Sequence, residues 1–413
     1  MIRSPKAILA LLTALNLVNY MDRLVLSAVL PKVQEELHLS NFVGGLLATV
    51  FLVGYFATSP IFGALGDRKP RKPLLALGVL VWSIATIASG LVHGAAHLLM
   101  ARALVGVGEA SYATIAPTLI DEISPVEKKG RWLAVFYVAA PIGSALGYLV
   151  GGFAEKHAGW RSAFFVAGIP GLVLVALCMM IAEPPRTVVK SVVNWASSLR
   201  ELVSEQLYVK GILGYSAYTF AVGAFSFWAP KFLYARYNLP LSKANFTFGL
   251  VTVVAGAIGT AIGGSLGDRA AGKGVRATPE GGEQPDHHAD RPRVTGLLRV
   301  CGVSVIAAGI LAAAAFLSPS ATLFFGLAFL CEIALFVSTS PINAVILRSV
   351  PFPLRASAMA LSIFAIHALG DLWSPPLGGL LQDYLPVAMA MMSLPIALVV
   401  SGLIWLPRKA ETR

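Results

Sequence analysis

Apolar residues run along this chain in long blocks, separated by short joints rich in proline, glycine and charge. A block of about 20 such residues is long enough to cross the hydrocarbon core of a bilayer as a helix. Twelve spanning helices are expected, at 7–30, 42–65, 73–92, 95–118, 132–153, 162–182, 208–229, 242–266, 295–317, 321–347, 355–380 and 386–406. The first block follows Arg3 and Lys6 and so imitates a secretion signal. Asn16, Asn19, Asp22 and Arg23 interrupt it and no small-residue cleavage site follows, so it is read as helix one.

The pattern repeats. Gly63-Ala64-Leu65-Gly66-Asp67-Arg68 ends predicted helix two, and Gly264-Ser265-Leu266-Gly267-Asp268-Arg269 ends predicted helix eight. Glu109 with Pro117 in helix four matches Glu332 with Pro341 in helix ten, and Gly151-Gly152 in helix five matches Gly378-Gly379 in helix eleven. The expected fold is therefore an all-α membrane protein of two pseudo-symmetric six-helix halves, 1–182 and 208–413. Secondary transporters have this architecture, with their site at the interface of the repeats. Residues 183–207 are expected to link the halves on the cytoplasmic side. They carry an amphipathic stretch (Val192, Trp195, Leu199, Leu202, Val203) suited to the membrane surface. A second long cytoplasmic loop, 270–293, is rich in glycine, proline and charge and is expected to be mobile.

Composition agrees: 56% of residues are hydrophobic, 13% charged, and the mean hydropathy is +0.74. With the N-terminus inside, roughly 23 of the 32 lysines and arginines fall in cytoplasmic segments, as the positive-inside rule requires. Both termini are then cytoplasmic. The net charge of +11 sets topology and gives no argument for nucleic acid. Cys178, Cys301 and Cys331 lack metal-ligand spacing, and His287 and His288 beside Asp286 read as a solvated loop cluster. No metal, cofactor or enzymatic nucleophile is indicated. A monomer suffices, and a bacterial inner membrane is the expected location.

The main ionisable candidates inside the spans are Asp22 and Arg23 in helix one, Arg102 and Glu109 in helix four, and Glu332 in helix ten. Each costs about 2.5–3.5 kcal/mol to place at a helix centre, so each calls for a function or a partner. At 1.5 Å per residue, Asp22 and Arg102 lie at similar depths, roughly 10–12 Å from the external side. Glu332 lies about 17 Å in, near the midplane. His367 and Asp371, four residues apart, share one face of helix eleven. Tyr215, Phe220 and their aromatic neighbours on helix seven could accept a lipid tail, although such rings also serve at lipid-facing and interfacial positions.

The motif Gly63-x-Leu-Gly-Asp67-Arg68-x-x-Arg71-Lys72, Arg102, and the run Pro141-Ile-Gly143…Gly147…Gly151-Gly152 resemble the signatures of the major facilitator superfamily. Within it, Asn19-Tyr20-Met21-Asp22-Arg23 and Gly108-Glu109-Ala110-Ser111-Tyr112…Ile115-Ala116-Pro117-Thr118 resemble the Spinster family of lipid and lysolipid transporters. The Asn-Tyr-x-Asp-Arg pattern is shared with organic-anion symporters, so a proton-linked symporter of a small organic anion is the alternative. The resemblance implies a central cavity lined by helices one, four, seven and ten, proton coupling, and alternating access. Asp22 is then expected to pair with Arg102, and Arg23 to reach toward Glu109. Either carboxylate could carry the proton, with Asp22 favoured by its depth match. Glu332 is the counterpart in the second half. Tyr20, Tyr112, Tyr215, Phe220, Thr339 and Asn343 are candidate contacts for a sphingolipid-like amphiphile. Gly63, Asp67, Arg68, Arg71, Asp121, Glu122, Asp268 and Arg269 form the expected cytoplasmic gate. There Asp67 would accept from the amides that begin helix eleven, near 354–357, and Arg71 would meet Asp121 or Glu122.

Overall fold

A computed structural model of the chain describes residues 2–125, 128–183, 195–271 and 291–408. Among these residues the structure is helical, and the only β pairing is a bridge between Ile2 and Ile181. The first six helices are α1 (Pro5–Leu37), α2 (Asn41–Arg68), α3 (Arg71–Ser89), α4 (Ala95–Ile123), α5 (Lys129–Ala158) and α6 (Trp160–Met179). The linker helix α7 (Trp195–Ser204) follows, then α8 (Gln206–Tyr237), α9 (Leu241–Ala271) and α10 (Arg291–Phe316). Residues 184–194, including Val192, and residues 272–290, with Asp286, His287 and His288, lie outside the described residues.

Local chemistry explains where these helices start and stop. Ser40 accepts from Val43 N at 3.2 Å and starts α2. His38, at φ 52°, ends α1 in the left-handed conformation common after a helix terminus.

The last three predicted spans each come in two pieces, and a proline marks each interruption. Helix ten is α11 (Ala321–Val337) and α12 (Thr339–Arg348), because Pro341 offers no N–H to the Val337 carbonyl. Helix eleven is α13 (Arg355–Ile366), a π-turn at His367–Asp371 and α14 (Ser374–Tyr384), with Pro375 unable to donate to Asp371. Helix twelve is α15 (Val387–Met391) and α16 (Ser393–Trp405), with Pro395 four residues after Met391. Among the described residues, eleven segments have the length and hydropathy of a membrane span. The predicted seventh span is α8, of 32 residues.

The chain forms two compact units. Unit one comprises Met1–Lys190, Phe227–Val253 and Pro375–Tyr384; unit two comprises Ser191–Ser226, Val254–Ser374 and Leu385–Arg413. In unit one Leu12, Leu15, Val79, Trp82, Tyr112 and Phe136 form part of a buried apolar cluster. Glycines bring its helices to backbone contact: a Cβ at Gly143 or Gly147 of α5 would overlap the carbonyls of Leu17 or Met21 in α1. A Cβ at Gly106 of α4 would overlap that of Phe51 in α2. Unit two repeats the device, with Gly259 and Gly263 of α9 against Ile333 and Val337 of α11. In bilayers, where lipid tails are as apolar as leucine, such close packing is a main source of helix association. It also sets the register of α1 against α5 and of α2 against α4.

Candidate functional site

Among the described residues the buried carboxylates of unit one lie on α1 and α4. Asp22 is 1% exposed and accepts a 2.5 Å hydrogen bond from the Thr86 hydroxyl of α3 on Oδ2. Arg102 Nη1 stands 3.9 Å from Asp22 Oδ1, close enough for charge attraction but beyond hydrogen-bond reach. Arg23 Nε donates to Glu109 Oε2 at 2.7 Å. Glu109 is sealed, whereas the Arg23 side chain keeps 23% of its surface exposed.

Rings surround the cations. The Arg23 guanidinium lies 4.9, 5.1 and 5.4 Å from the ring centres of Tyr20, Phe51 and Tyr55. Arg102 lies 5.3 Å from Phe51, so one ring serves both arginines. The network is not fully satisfied: Asp22 Oδ1, Arg102 Nε and Nη1, and Glu109 Oε1 are buried without a hydrogen bond among the described residues. Unsatisfied buried polar atoms are costly, so a further hydrogen-bond partner would stabilise this cluster.

The structure places other expected residues differently. Tyr112 is buried in the apolar cluster and donates to Leu12 O at 2.6 Å, a packing position. In unit two Glu332 is buried on α11. Tyr215 is half-buried against Tyr218 and Trp405, and Phe220 packs close to Gly370. Asn343 donates to Thr339 O at 2.8 Å, which commits one of its amide hydrogens to its own helix. His367 Nδ1 lies 2.8 and 2.9 Å from the two Asp371 carboxylate oxygens, within the π-turn.

At the far end of α2, Arg71 of α3 grips Glu122 of α4 with Nη2 at 2.7 Å from both carboxylate oxygens. The Arg71 amide donates to Glu183 Oε1 at 2.6 Å, tying the start of α3 to the chain leaving α6. Asp121 instead takes Lys129 at 2.7 Å. Arg68, Asp268 and Arg269 are exposed, and Gly63 is half-buried beside Thr114. The side chain of Asp67 lies outside the description. Arg71→Met should remove the contact that Nη2 makes with both Glu122 oxygens. With Glu122 partly exposed, the expected cost is roughly 1 kcal/mol. Thermal melting should show that Glu122→Gln costs about as much, and that the two together cost little more than either alone. Fully additive losses would sink the pairing.

Thr86, Phe51, Tyr55 and Glu183 were not anticipated from sequence. Each acts through the register of one helix on another, and none carries a charge inside the membrane that would single it out.

Duplicated six-helix patterning, spans enough for a multi-pass protein and ionisable groups sealed among them define a membrane transporter. The family model of the Major Facilitator Superfamily matches residues 12–282. The chain belongs to that superfamily and, within it, to the Spinster family. It is 31% identical to the probable sphingolipid transporter spinster homolog 1 of Arabidopsis thaliana, over 92% of this chain and 84% of the relative. It is 31% identical to the sphingosine-1-phosphate transporter SPNS2 of Danio rerio, over 98% and 84%. The crystal structure of a bacterial homolog to the human lysosomal transporter Spinster, inward-facing and unoccupied, aligns with a TM-score of 0.82 at 19% identity. That alignment covers 97% of this chain and 96% of the other.

Proposed function

We propose that this transporter is proton-coupled and moves a lipid or lysolipid amphiphile by alternating access. In this reading it lies in a bacterial inner membrane as a monomer, with both termini and the Gly-Asp-Arg loops in the cytoplasm. The observation that carries the reading is the four-charge network of Asp22, Arg23, Arg102 and Glu109, buried and incompletely hydrogen-bonded. A permanent staple between helices would satisfy its own polar atoms or use small residues. The arginines suit a phosphate or carboxylate headgroup, and the names of the plant and zebrafish relatives support a sphingolipid-like one.

Glu109 is the proton carrier in this reading. Its partner Arg23 is partly exposed and has three rings to rest on when the carboxylate is neutralised. Asp22, held by Thr86 and facing Arg102, positions the network. When the cytoplasmic side closes, Asp67 accepts from the first amides of α13 and stabilises that state.

Reconstituted vesicles test the reading by counterflow. Unlabelled lysolipid on the far side should accelerate uptake of labelled lysolipid, and an imposed pH gradient should drive accumulation. Acceleration by small carboxylates and not by lysolipid would favour the organic-anion symporter instead. Leakage without counterflow would make the protein a channel.

A further inference from the structure

Unit one is tied together at the Asn41 end of α2, opposite the Gly-Asp-Arg loop. Asp383, near the end of α14, accepts from Asn41 N at 2.8 Å on one carboxylate oxygen and from Phe42 N at 3.0 Å on the other. These first amides of α2 have no partner within the helix and form its positive end. The backbones are seated to allow this: a Cβ at Gly379 would overlap Asn41 O, and one at Gly45 would overlap Pro375 O. α8 is held to the same turn. Trp228 Nε1 donates to Pro375 O at 3.0 Å, and Lys231 Nζ donates to Gln34 Oε1 at 2.7 Å and to Asn41 Oδ1.

We propose that Asp383 is an outer latch, the reciprocal of the gate assigned to Asp67. α2 ends in Asp67-Arg68 and begins at Asn41; helix eleven begins at Arg355 and ends near Asp383. Each helix therefore carries, close to its C-terminal end, a carboxylate suited to the other's N-terminal amides. In a carrier that opens its two sides alternately, the inner and outer ends are not closed together. Making one cap breaks the other, and the pair divides the protein between two states. The latch rests on the alternating-access reading above.

Double electron–electron resonance on the full-length protein in nanodiscs tests it. Spin labels at Lys156→Cys and Arg236→Cys report the outer ends of α5 and α8, and the three native cysteines are buried. Asp383→Ala removes two hydrogen bonds to a charged acceptor, so the outward-open, longer-distance population should rise roughly tenfold relative to the closed one. Asp383→Asn, which keeps one acceptor oxygen and the shape, should shift it less. Asp67→Ala should shift it the opposite way, and the double variant should return toward the parent. Unchanged distances in both Asp383 variants, or shifts of the same sign for Asp67→Ala and Asp383→Ala, would overturn the latch alone. A parent distribution that neither pH nor lysolipid moves would overturn alternating access, and the latch with it.

Discussion

Glu109→Gln is expected to reduce pH-driven accumulation to simple equilibration while leaving exchange at equal pH largely intact. A pH difference of one unit supplies about 1.4 kcal/mol per proton, so a carrier moving one proton per substrate can sustain roughly a tenfold gradient. Gln keeps the volume and one acceptor for Arg23 but cannot gain or lose a proton. The ratio of internal to external substrate should therefore fall from about tenfold to about one under that gradient. Exchange needs only binding and rocking, and Arg23 keeps its three aromatic neighbours for support. Depth along the helices favours Asp22 for this role, because it aligns with Arg102. The geometry favours Glu109, because Arg23 is its hydrogen-bonded partner and the only one of the four groups with appreciable exposure. Normal accumulation by Glu109→Gln, with loss in Asp22→Asn, would return the coupling role to Asp22.

Much of this was legible in the chain. Span length and the repeated Gly-x-Leu-Gly-Asp-Arg ending need only local pattern, so the helical class follows from residue order. Depth matched Asp22 to Arg102, since helices of constant rise carry residues to calculable levels; that Arg23 reaches toward Glu109 came instead from the resemblance, which implies that helices one and four line one cavity. What depth cannot supply is rotation. Nothing local says that Thr86 turns toward Asp22, or that Phe51 comes between two arginines; those facts depend on the glycine contacts that set how α2, α4 and α5 meet. Tyr112 shows the reverse error. Its place beside Glu109 in a motif suggested contact with substrate, yet the side chain turns into the apolar cluster and hydrogen-bonds Leu12. The interruptions near Ser338, His367 and Met392 were written in Pro341, Pro375 and Pro395. They read as continuous spans because hydropathy alone does not register a missing N–H.

Asp22→Asn is expected to cost stability as well as transport, and Arg102→Met should recover much of the loss. In the parent the two charges face each other 3.9 Å apart, both almost fully buried. Removing only the carboxylate charge leaves a guanidinium in a low-dielectric interior with no adjacent counter-charge, which typically costs 3–5 kcal/mol. Asn can still accept from Thr86, so the loss is electrostatic and not a missing hydrogen bond. Arg102→Met alone strands the carboxylate in the same way, while the double replacement removes both charges and keeps apolar bulk on α4. Thermal melting of the four proteins in one detergent forms a double-mutant cycle. The sum of the single losses should exceed the loss of the double variant by at least about 1 kcal/mol. Strict additivity would mean that Asp22 and Arg102 are each compensated elsewhere, and the pair would then have no claim to position the Arg23–Glu109 switch. Non-additivity in stability with normal accumulation by the double variant would make Asp22 and Arg102 a structural staple and leave coupling to Glu109.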